Sequence, residues 1–347
     1  MLAEYYFTNL TISEQSAYNE IRLALNNSIA ECVVSGIDNG ESAIRVWKAV
    51  VLDHPEIINY PGLFCQPIGG ENGCFRFNFQ YSEIDRNAYE KKLNKLINKI
   101  DKQMPANASD YIACKMIFDE LASFIEYEDK VLEEYLKLEQ ENSSETIDFM
   151  REHSTSFSPY GILINSKGVC QGISKLFKII CDRFDVQCAC VEANTLQHMS
   201  NSMNNHMLNV VEINGERAFV DVTNSLKIKE LPIIRYDFFL MSKRIINQTF
   251  TIVGEFGCYN ELLNYFVKNN LRFKSVNGLR EYLSSYTYQS TNGEVRCHYD
   301  GSKINDKELE DLFFFIINSH CREGYFMKYA SVKNGFCNGA IISDLEG

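Results

Sequence analysis

The chain has 347 residues, of which 45% are apolar and 23% are charged, so it can bury a sizeable core and is long enough for two or three domains. A formal net charge of −12 and an isoelectric point near 5.1 argue against nucleic acid or an anionic membrane as the main partner. No apolar run approaches the roughly 20 residues of a membrane span, and the start MLAEYYFTNLT lacks the features of a signal peptide, so we expect a cytoplasmic protein.

The first third of the sequence predicts a small α+β unit. Apolar residues recur at every third or fourth position in residues 12–26 and 41–52, which indicates two helices. Residues 74–81 alternate phenylalanine with polar residues, as a strand does, and residues 84–102 return to helical spacing. A polar, proline-containing stretch follows, so we place an N-terminal domain at residues 1–105.

The middle of the chain predicts a second domain, at residues 106–265. We expect a long helix over about 109–138, followed by a polar break at 138–146. From about 160 to 250 the pattern runs helix, strand, polar loop, hairpin and strand.

The remaining sequence predicts a small C-terminal α+β domain, at residues 266–347. We expect a helix near 276–285, a strand near 294–299, a helix near 306–319 and then a final pair of short strands.

A cysteine stands between two glycines where a loop becomes an amphipathic helix, in SKGVCQGISKLFKII. Apolar residues at i, i+3, i+4 and i+7 define the helix and place Cys170 in its first turn. Free backbone N–H groups there favour a thiolate and can stabilise an oxyanion on an attacked carbonyl. Gly168 and Gly172 leave room for a substrate chain. The alternative is that Cys170 simply packs, as we expect for most of the twelve cysteines.

A nucleophilic thiol needs a base, and the sequence NNHMLNVVEINGERAFVDVT supplies one. Its Asn-Gly pair predicts a two-residue type I′ turn, so that Ile213 faces Glu216 and, counting outwards, Leu208 faces Asp221. His206 and Asp221 are then diagonal neighbours on one face of the sheet, within side-chain reach of each other. An aspartate in the apolar strand AFVDV is costly to bury without a partner, and an imidazole is a suitable one.

Two segments, SPYGILINSKGVCQGISKLFKIICDRFDVQCACVEA and NHMLNVVEINGERAFVDVT, resemble the core of the transglutaminase-like superfamily of cysteine enzymes, most of all its bacterial protease and hydrolase branch. The resemblance is specific over about residues 158–225. It implies an α+β fold with a papain-like core, in which a helix carrying the nucleophile packs on an antiparallel sheet carrying histidine and aspartate. The positions that match the motifs of the family are Tyr160, Gly161, Leu163, Val169, Cys170, Gly172, His206, Asn209, Asp221 and Thr223.

The sequence departs from the family pattern around this triad. Leu208 stands where the family has a tryptophan, and Asn224 and Ser225 replace the tryptophan and acidic residues that usually follow the aspartate motif. The walls of the site are therefore altered, which leaves the substrate preference open.

These observations predict a thiol-dependent acyl-transfer enzyme. Cys170 would attack a peptide or carboxamide carbonyl, His206 would protonate the leaving amine, and Asp221 would orient the imidazole. The backbone N–H of Cys170 is the expected oxyanion donor, with Tyr160 as a candidate for a second one. The thioester would pass to water, as in a protease or amidase, or to an amine, as in a transglutaminase, and the sequence leaves both open.

The sequence leaves two other functions to consider besides catalysis. The altered walls and extra domains would also suit a non-catalytic scaffold that binds a peptide or protein. A zinc site formed by Cys188, Cys190, His198 and His206 is disfavoured, because C-x-C is not the usual zinc spacing. We expect no metal or cofactor, a protein or peptide substrate, and a lid role for the polar loop 194–205. The oligomeric state stays open.

Overall fold

The structure, a computed structural model, is of the α+β class, with helices and mainly antiparallel sheets. Within the part of the chain that it describes, no helix is both long and apolar enough to cross a bilayer. The described residues are 2, 4–37, 39–57, 65–68, 74–77, 83–141, 145–196, 206–227, 233–285, 293–321 and 325–343.

The N-terminal region pairs helices with a small antiparallel sheet of order β1-β3-β2. The predicted helices at 12–26 and 41–52 are confirmed, and the first begins at a capping box formed by Thr11 and Glu14. The predicted strand at 74–81 is seen as β3, and its last residues lie outside the described ones. The elements are α1 (Tyr5–Thr8), α2 (Ile12–Asn26), β1 (Glu31–Val33), α3 (Gly40–Asp53), β2 (Cys65–Ile68) and β3 (Cys74–Phe77).

The central region contains a four-stranded antiparallel sheet of order β8-β7-β6-β9, against which helix α9 packs. The predicted helix at 84–102 is confirmed as α4. The elements are α4 (Glu83–Gln103), α5 (Asp110–Phe124), β4 (Glu126–Tyr127), α6 (Asp129–Gln140), α7 (Thr146–Glu152), α8 (Pro159–Asn165), β5 (Lys167–Gly168), α9 (Cys170–Arg183), β6 (Gln187–Thr195), β7 (His206–Ile213), β8 (Glu216–Val220), a 3-10 turn (Thr223–Ser225), α10 (Lys243–Ile246), β9 (Phe250–Ile252) and α11 (Tyr265–Lys268).

The single long helix predicted at 109–138 is wrong, because the chain breaks between α5 and α6. Ile125 takes up extended backbone angles, and the next two residues form the short strand β4. This strand pairs in parallel with β5, which directly precedes Cys170. A pairing between segments that are distant in sequence therefore overrides the local helical pattern.

The hairpin of β7 and β8 has the predicted register. Ile213 pairs with Glu216, and the ladder continues without a bulge to Asn209 and Val220. Asn214 and Gly215 have φ of 53° and 80°, as the predicted turn requires.

The C-terminal region packs two helices on a sheet of order β10-β11-β13-β12. Its predicted helices and first strand are confirmed, but the final strands, predicted to be short, have 9 and 8 residues and form a long hairpin. The elements are β10 (Arg272–Phe273), α12 (Val276–Ser285), β11 (Glu294–Tyr299), α13 (Asp306–His320), β12 (Tyr325–Lys333) and β13 (Phe336–Ser343).

Each region of the chain has one large cluster of buried apolar side chains. The central cluster also takes in α4, through side chains that include Tyr89 and Leu93. The division into domains at residues 105 and 265 stays a prediction.

Candidate active site

Cys170 is the first residue of α9. The preceding Val169 is extended, so the helix starts abruptly where β5 ends. Two hydrogen bonds attach the helix to β7: the Ser174 hydroxyl donates to the Met207 carbonyl at 2.9 Å, and the Asn209 amide donates to the Ser174 carbonyl at 2.9 Å. These bonds bring the first turn of α9 to the first residue of β7, which is His206.

His206 is held from two sides. Its Nε2 lies 2.7 Å from Oδ2 of Asp221, and its ring stacks on Phe250 with centroids 4.5 Å apart and planes 5° from parallel. Because Nε2 is engaged by Asp221, Nδ1 is the nitrogen left for Cys170, whose thiol interacts with this imidazole. The structure thus brings together the three side chains predicted as a triad.

Asp221 receives two further hydrogen bonds from the residue that departs from the family pattern. The Asn224 backbone N–H donates to Oδ1 at 3.2 Å, and its side-chain amide donates to Oδ2 at 2.7 Å. Burial disfavours the carboxylate, but His206 and Asn224 lower the pKa of Asp221 below its ordinary value. Asn224 therefore takes part in orienting the site.

The electrostatics favour an ion pair between sulfur and imidazole. Burial opposes a thiolate at Cys170, yet contact with His206 lowers the pKa of its thiol. Burial also opposes an imidazolium, yet Asp221 and Cys170 raise the pKa of His206 from 6.5 to about 10. The arrangement therefore shifts the pair of side chains towards thiolate and imidazolium.

Other cysteines show the opposite behaviour. Burial, the largest cause, raises the pKa of the thiols of Cys114, Cys181 and Cys190. These side chains pack as small apolar groups. The contrast sets Cys170 apart from buried cysteines of the same region of the chain.

Tyr127, which the sequence did not single out, is a neighbour of Cys170. Its hydroxyl lies beside the thiol and backbone N–H of Cys170; burial raises the pKa of the phenol, the Cys170 thiol raises it further, and the backbone N–H of Cys170 lowers it. Tyr127 belongs to the short strand β4, which lies within the segment that the sequence predicted as one long helix.

Tyr160 was wrongly predicted to donate to the oxyanion. Its hydroxyl donates to Asp85 at 3.2 Å, and its ring stacks on Tyr89 at a centroid distance of 6.4 Å. Both partners belong to α4, so the phenol is committed to helix packing rather than to the thiol.

Gly168 and Gly172 were predicted to leave room for a substrate, and this too is wrong. A Cβ on Gly168 would lie 2.7 Å from the Ser156 carbonyl oxygen, and one on Gly172 would lie 2.9 Å from the Ser158 carbonyl oxygen. Both glycines therefore allow the turn before α8 to pack closely on the start of α9.

Leu208 does not form a wall of the site, contrary to expectation, because it is fully buried in the central apolar cluster. A cleft of about 560 Å³ opens instead beside His206, between the central and C-terminal regions. The side chains that border it are those of Tyr127, Asp129, Leu132, Leu136, Thr195, Leu196, His206, Thr223, Asn224, Leu226, Lys227, Arg235, Gln248, Thr249, Phe250, Lys333 and Asn334.

The N-terminal region closes another side of Cys170. Leu52, at the end of α3, shares a small buried cluster with Cys170, Cys190 and Met207. The Tyr6 hydroxyl donates to the Cys190 carbonyl at 2.8 Å, which fixes the N-terminal helices to β6. Only 6% of the Cys170 surface is exposed.

Two predictions fall partly outside the described residues. Most of the proposed lid at 194–205 is not described, and neither is His198 of the disfavoured zinc site. Among the residues that are described, no three His, Cys, Asp or Glu side chains are grouped to hold a metal ion.

Comparisons with known proteins add little to this geometry. No family model matches the chain, and no curated protein does. Among solved structures, one described as the crystal structure of a TGase is similar, with 13% sequence identity and a TM-score of 0.33 over 46% of this chain. The match spans 43% of that chain, less than half of its length. We therefore base the functional assignment on the side chains themselves.

Proposed function

We propose that this chain is a thiol-dependent acyl-transfer enzyme with a transglutaminase-like core. The observation that carries the proposal is the 2.7 Å contact of His206 with Asp221, in an imidazole near enough to Cys170 for the thiol and the ring to shift each other's pKa. Covalent catalysis at a carbonyl requires a nucleophile, a base beside it and a carboxylate that orients the base.

In the first half of the proposed reaction, the Cys170 thiolate attacks the carbonyl carbon of an amide and forms a C–S bond. The carbonyl oxygen becomes an oxyanion, to which the backbone N–H of Cys170 donates a hydrogen bond. The intermediate collapses by breaking the C–N bond. The imidazolium of His206 gives its proton to the departing nitrogen, which leaves as an amine or ammonia.

In the second half, the thioester passes its acyl group to water or to an amine. Neutral His206 takes a proton from the incoming nucleophile, and the C–S bond breaks to restore the thiolate. Asp221 stabilises the imidazolium at both stages. This chemistry is common to a cysteine protease or amidase and to a transglutaminase. Analysis of the products formed with an added primary amine distinguishes them, because only a transglutaminase transfers the acyl group to the amine.

Site-specific alkylation tests the proposal. The native protein is treated with limiting iodoacetamide from about pH 5 to 9, and each cysteine is quantified by peptide mass spectrometry. We expect Cys170 to react first, already near pH 6, and to lose this lead in His206→Ala. His153→Ala, a substitution at the end of α7, serves as the matched histidine control.

The runner-up is a scaffold that binds a peptide or protein without turnover. The near-complete burial of Cys170 and the hydroxyl of Tyr127 beside its N–H favour this alternative. If Cys170 reacts no faster than Cys190 at any pH, the enzyme proposal fails and the scaffold takes its place.

A further inference from the structure

The cleft beside His206 has a charge opposite to that of the whole chain. Besides His206, its described lining holds three cationic side chains, Lys227, Arg235 and Lys333, against one carboxylate, Asp129. The chain as a whole has a net charge of −12. A cationic cleft within an acidic protein concentrates its field on whatever occupies the cleft.

Arg235 lies close to the proposed triad and is incompletely paired. Its guanidinium donates to the Asn224 carbonyl, and the Asn224 side chain donates in turn to Asp221. Its Nε is buried and has no hydrogen-bond partner among the described residues. Among the described residues no carboxylate forms an ion pair with Arg235, although burial raises the pKa of the Asp237 carboxylate and the guanidinium is near enough to lower it; part of the donor capacity of Arg235 is therefore left for a ligand.

Lys333 reaches the cleft from the C-terminal region, at the turn between β12 and β13. The Asp306 carboxylate accepts the backbone N–H groups of Asn334 at 2.7 Å and Gly335 at 2.9 Å, which fixes this turn. The Asn334 amide donates to the Thr249 hydroxyl at 3.4 Å. This turn therefore holds the exposed ammonium group of Lys333 near β9, the strand whose Phe250 ring stacks on His206.

Lys227 completes the cationic rim. It follows the 3-10 turn after Asp221, and its backbone N–H donates to the Ala122 carbonyl at 3.3 Å. Its side chain is exposed and forms no ion pair within the described ranges. Three leucines of the lining, Leu132, Leu136 and Leu196, form its apolar wall.

We infer that the cleft selects an acyl donor that is a peptide segment with acidic side chains next to the reacting carboxamide. Arg235 and Lys333 are the residues that determine this specificity. Arginine pairs with carboxylates through paired N–H donors, and the leucine wall holds the apolar parts of the segment. The cleft volume, about 560 Å³, lies within the roughly 300–1,000 Å³ of ligand sites. This inference rests on the function proposed above.

Affinity labels test the inference without knowledge of the natural substrate. Two peptides carry a haloacetamide group and differ only in aspartate or asparagine beside it. We expect Cys170 to be labelled roughly tenfold faster by the aspartate peptide at low salt, and this ratio to fall as salt rises. The ratio should drop several-fold in Lys333→Gln and approach one in Arg235→Gln/Lys333→Gln.

Matched controls make the result specific. Lys307→Gln removes an exposed lysine of the same C-terminal region and should leave the ratio unchanged. Because Lys333 is exposed next to a turn, the single variant Lys333→Gln should fold normally. It keeps the test decisive if the double variant proves unstable. A labelling ratio near one in the native protein, or a ratio unaffected by Lys333→Gln, would overturn the inference. Labelling with iodoacetamide, a small reagent without a peptide, distinguishes failure of this inference from failure of the proposed function. If Cys170 resists iodoacetamide as well, the proposed function itself has failed.

Discussion

The hydroxyl of Tyr127 lies against both the thiol and the backbone N–H of Cys170. That N–H is the group that the proposed mechanism needs for the oxyanion. A phenol oxygen in this position stands where the carbonyl oxygen of a substrate would be bound.

Replacing Tyr127 by phenylalanine should therefore help the site to bind an oxyanion. The ring is kept, but the competing oxygen at the N–H of Cys170 is lost. We expect Tyr127→Phe to bind a peptide aldehyde, which forms a tetrahedral adduct with the thiol, roughly tenfold more tightly. Weaker binding than in the native protein would mean instead that the phenol is itself a donor to the oxyanion.

Asp221→Asn removes the negative charge that faces the imidazole of His206. Without the carboxylate the pKa of His206 falls, and the thiolate of Cys170 loses its ionic partner. We expect alkylation of Cys170 near pH 6 to slow by roughly tenfold or more, with the reactivity profile moved to higher pH. Asp148→Asn, at an exposed ion pair, is the control and should leave the profile where it is.

A substitution at Asn224 weakens the support of the His206 imidazole without removing the Asp221 carboxylate. Asn224→Ala removes the amide that donates to Asp221, while the backbone N–H remains. We expect a several-fold loss of Cys170 reactivity at neutral pH, smaller than that of Asp221→Asn, because one hydrogen bond to the carboxylate is lost while the carboxylate itself remains. Asn224→Asp should be worse, because it sets a second carboxylate against the first. Equal rates for both variants would argue against charge as the cause.

The raised pKa of His206 also predicts how stability depends on pH. The folded value of about 10 lies above the ordinary 6.5. The stabilisation from the protonated ring is therefore fully present below about pH 6.5 and is lost as the pH rises through 10. The melting temperature of the native protein should exceed that of His206→Gln most near pH 6, and the difference should shrink towards pH 10. A difference that grows over this range contradicts the ion pair.

Local signals account for the part of the site that could be predicted from the sequence. The Asn214-Gly215 turn fixes the hairpin register within a few residues, and this register brings His206 to Asp221. The start of α9 at Cys170 follows from the apolar spacing of the residues after it. Each of these arguments needs only neighbouring residues.

Contacts between distant segments account for what the sequence analysis missed. Tyr127 reaches Cys170 because β4 pairs with β5, and nothing in the helical pattern of 109–138 marks that pairing. Tyr160 was misassigned because its partner Asp85 lies on α4, far away in sequence. Lys333 enters the cleft only through the packing of the C-terminal hairpin on the central region.

The two hydrogen bonds between α9 and β7, at Ser174 and Asn209, have a consequence for how such a protein can evolve. They join the cysteine and the histidine into one block, whereas Lys333 is contributed by the C-terminal hairpin outside it. Under the proposed function, mutations in that hairpin can change which molecules are admitted without disturbing the proton chemistry. Substrate range and reactivity are thus able to diverge separately as sequences drift.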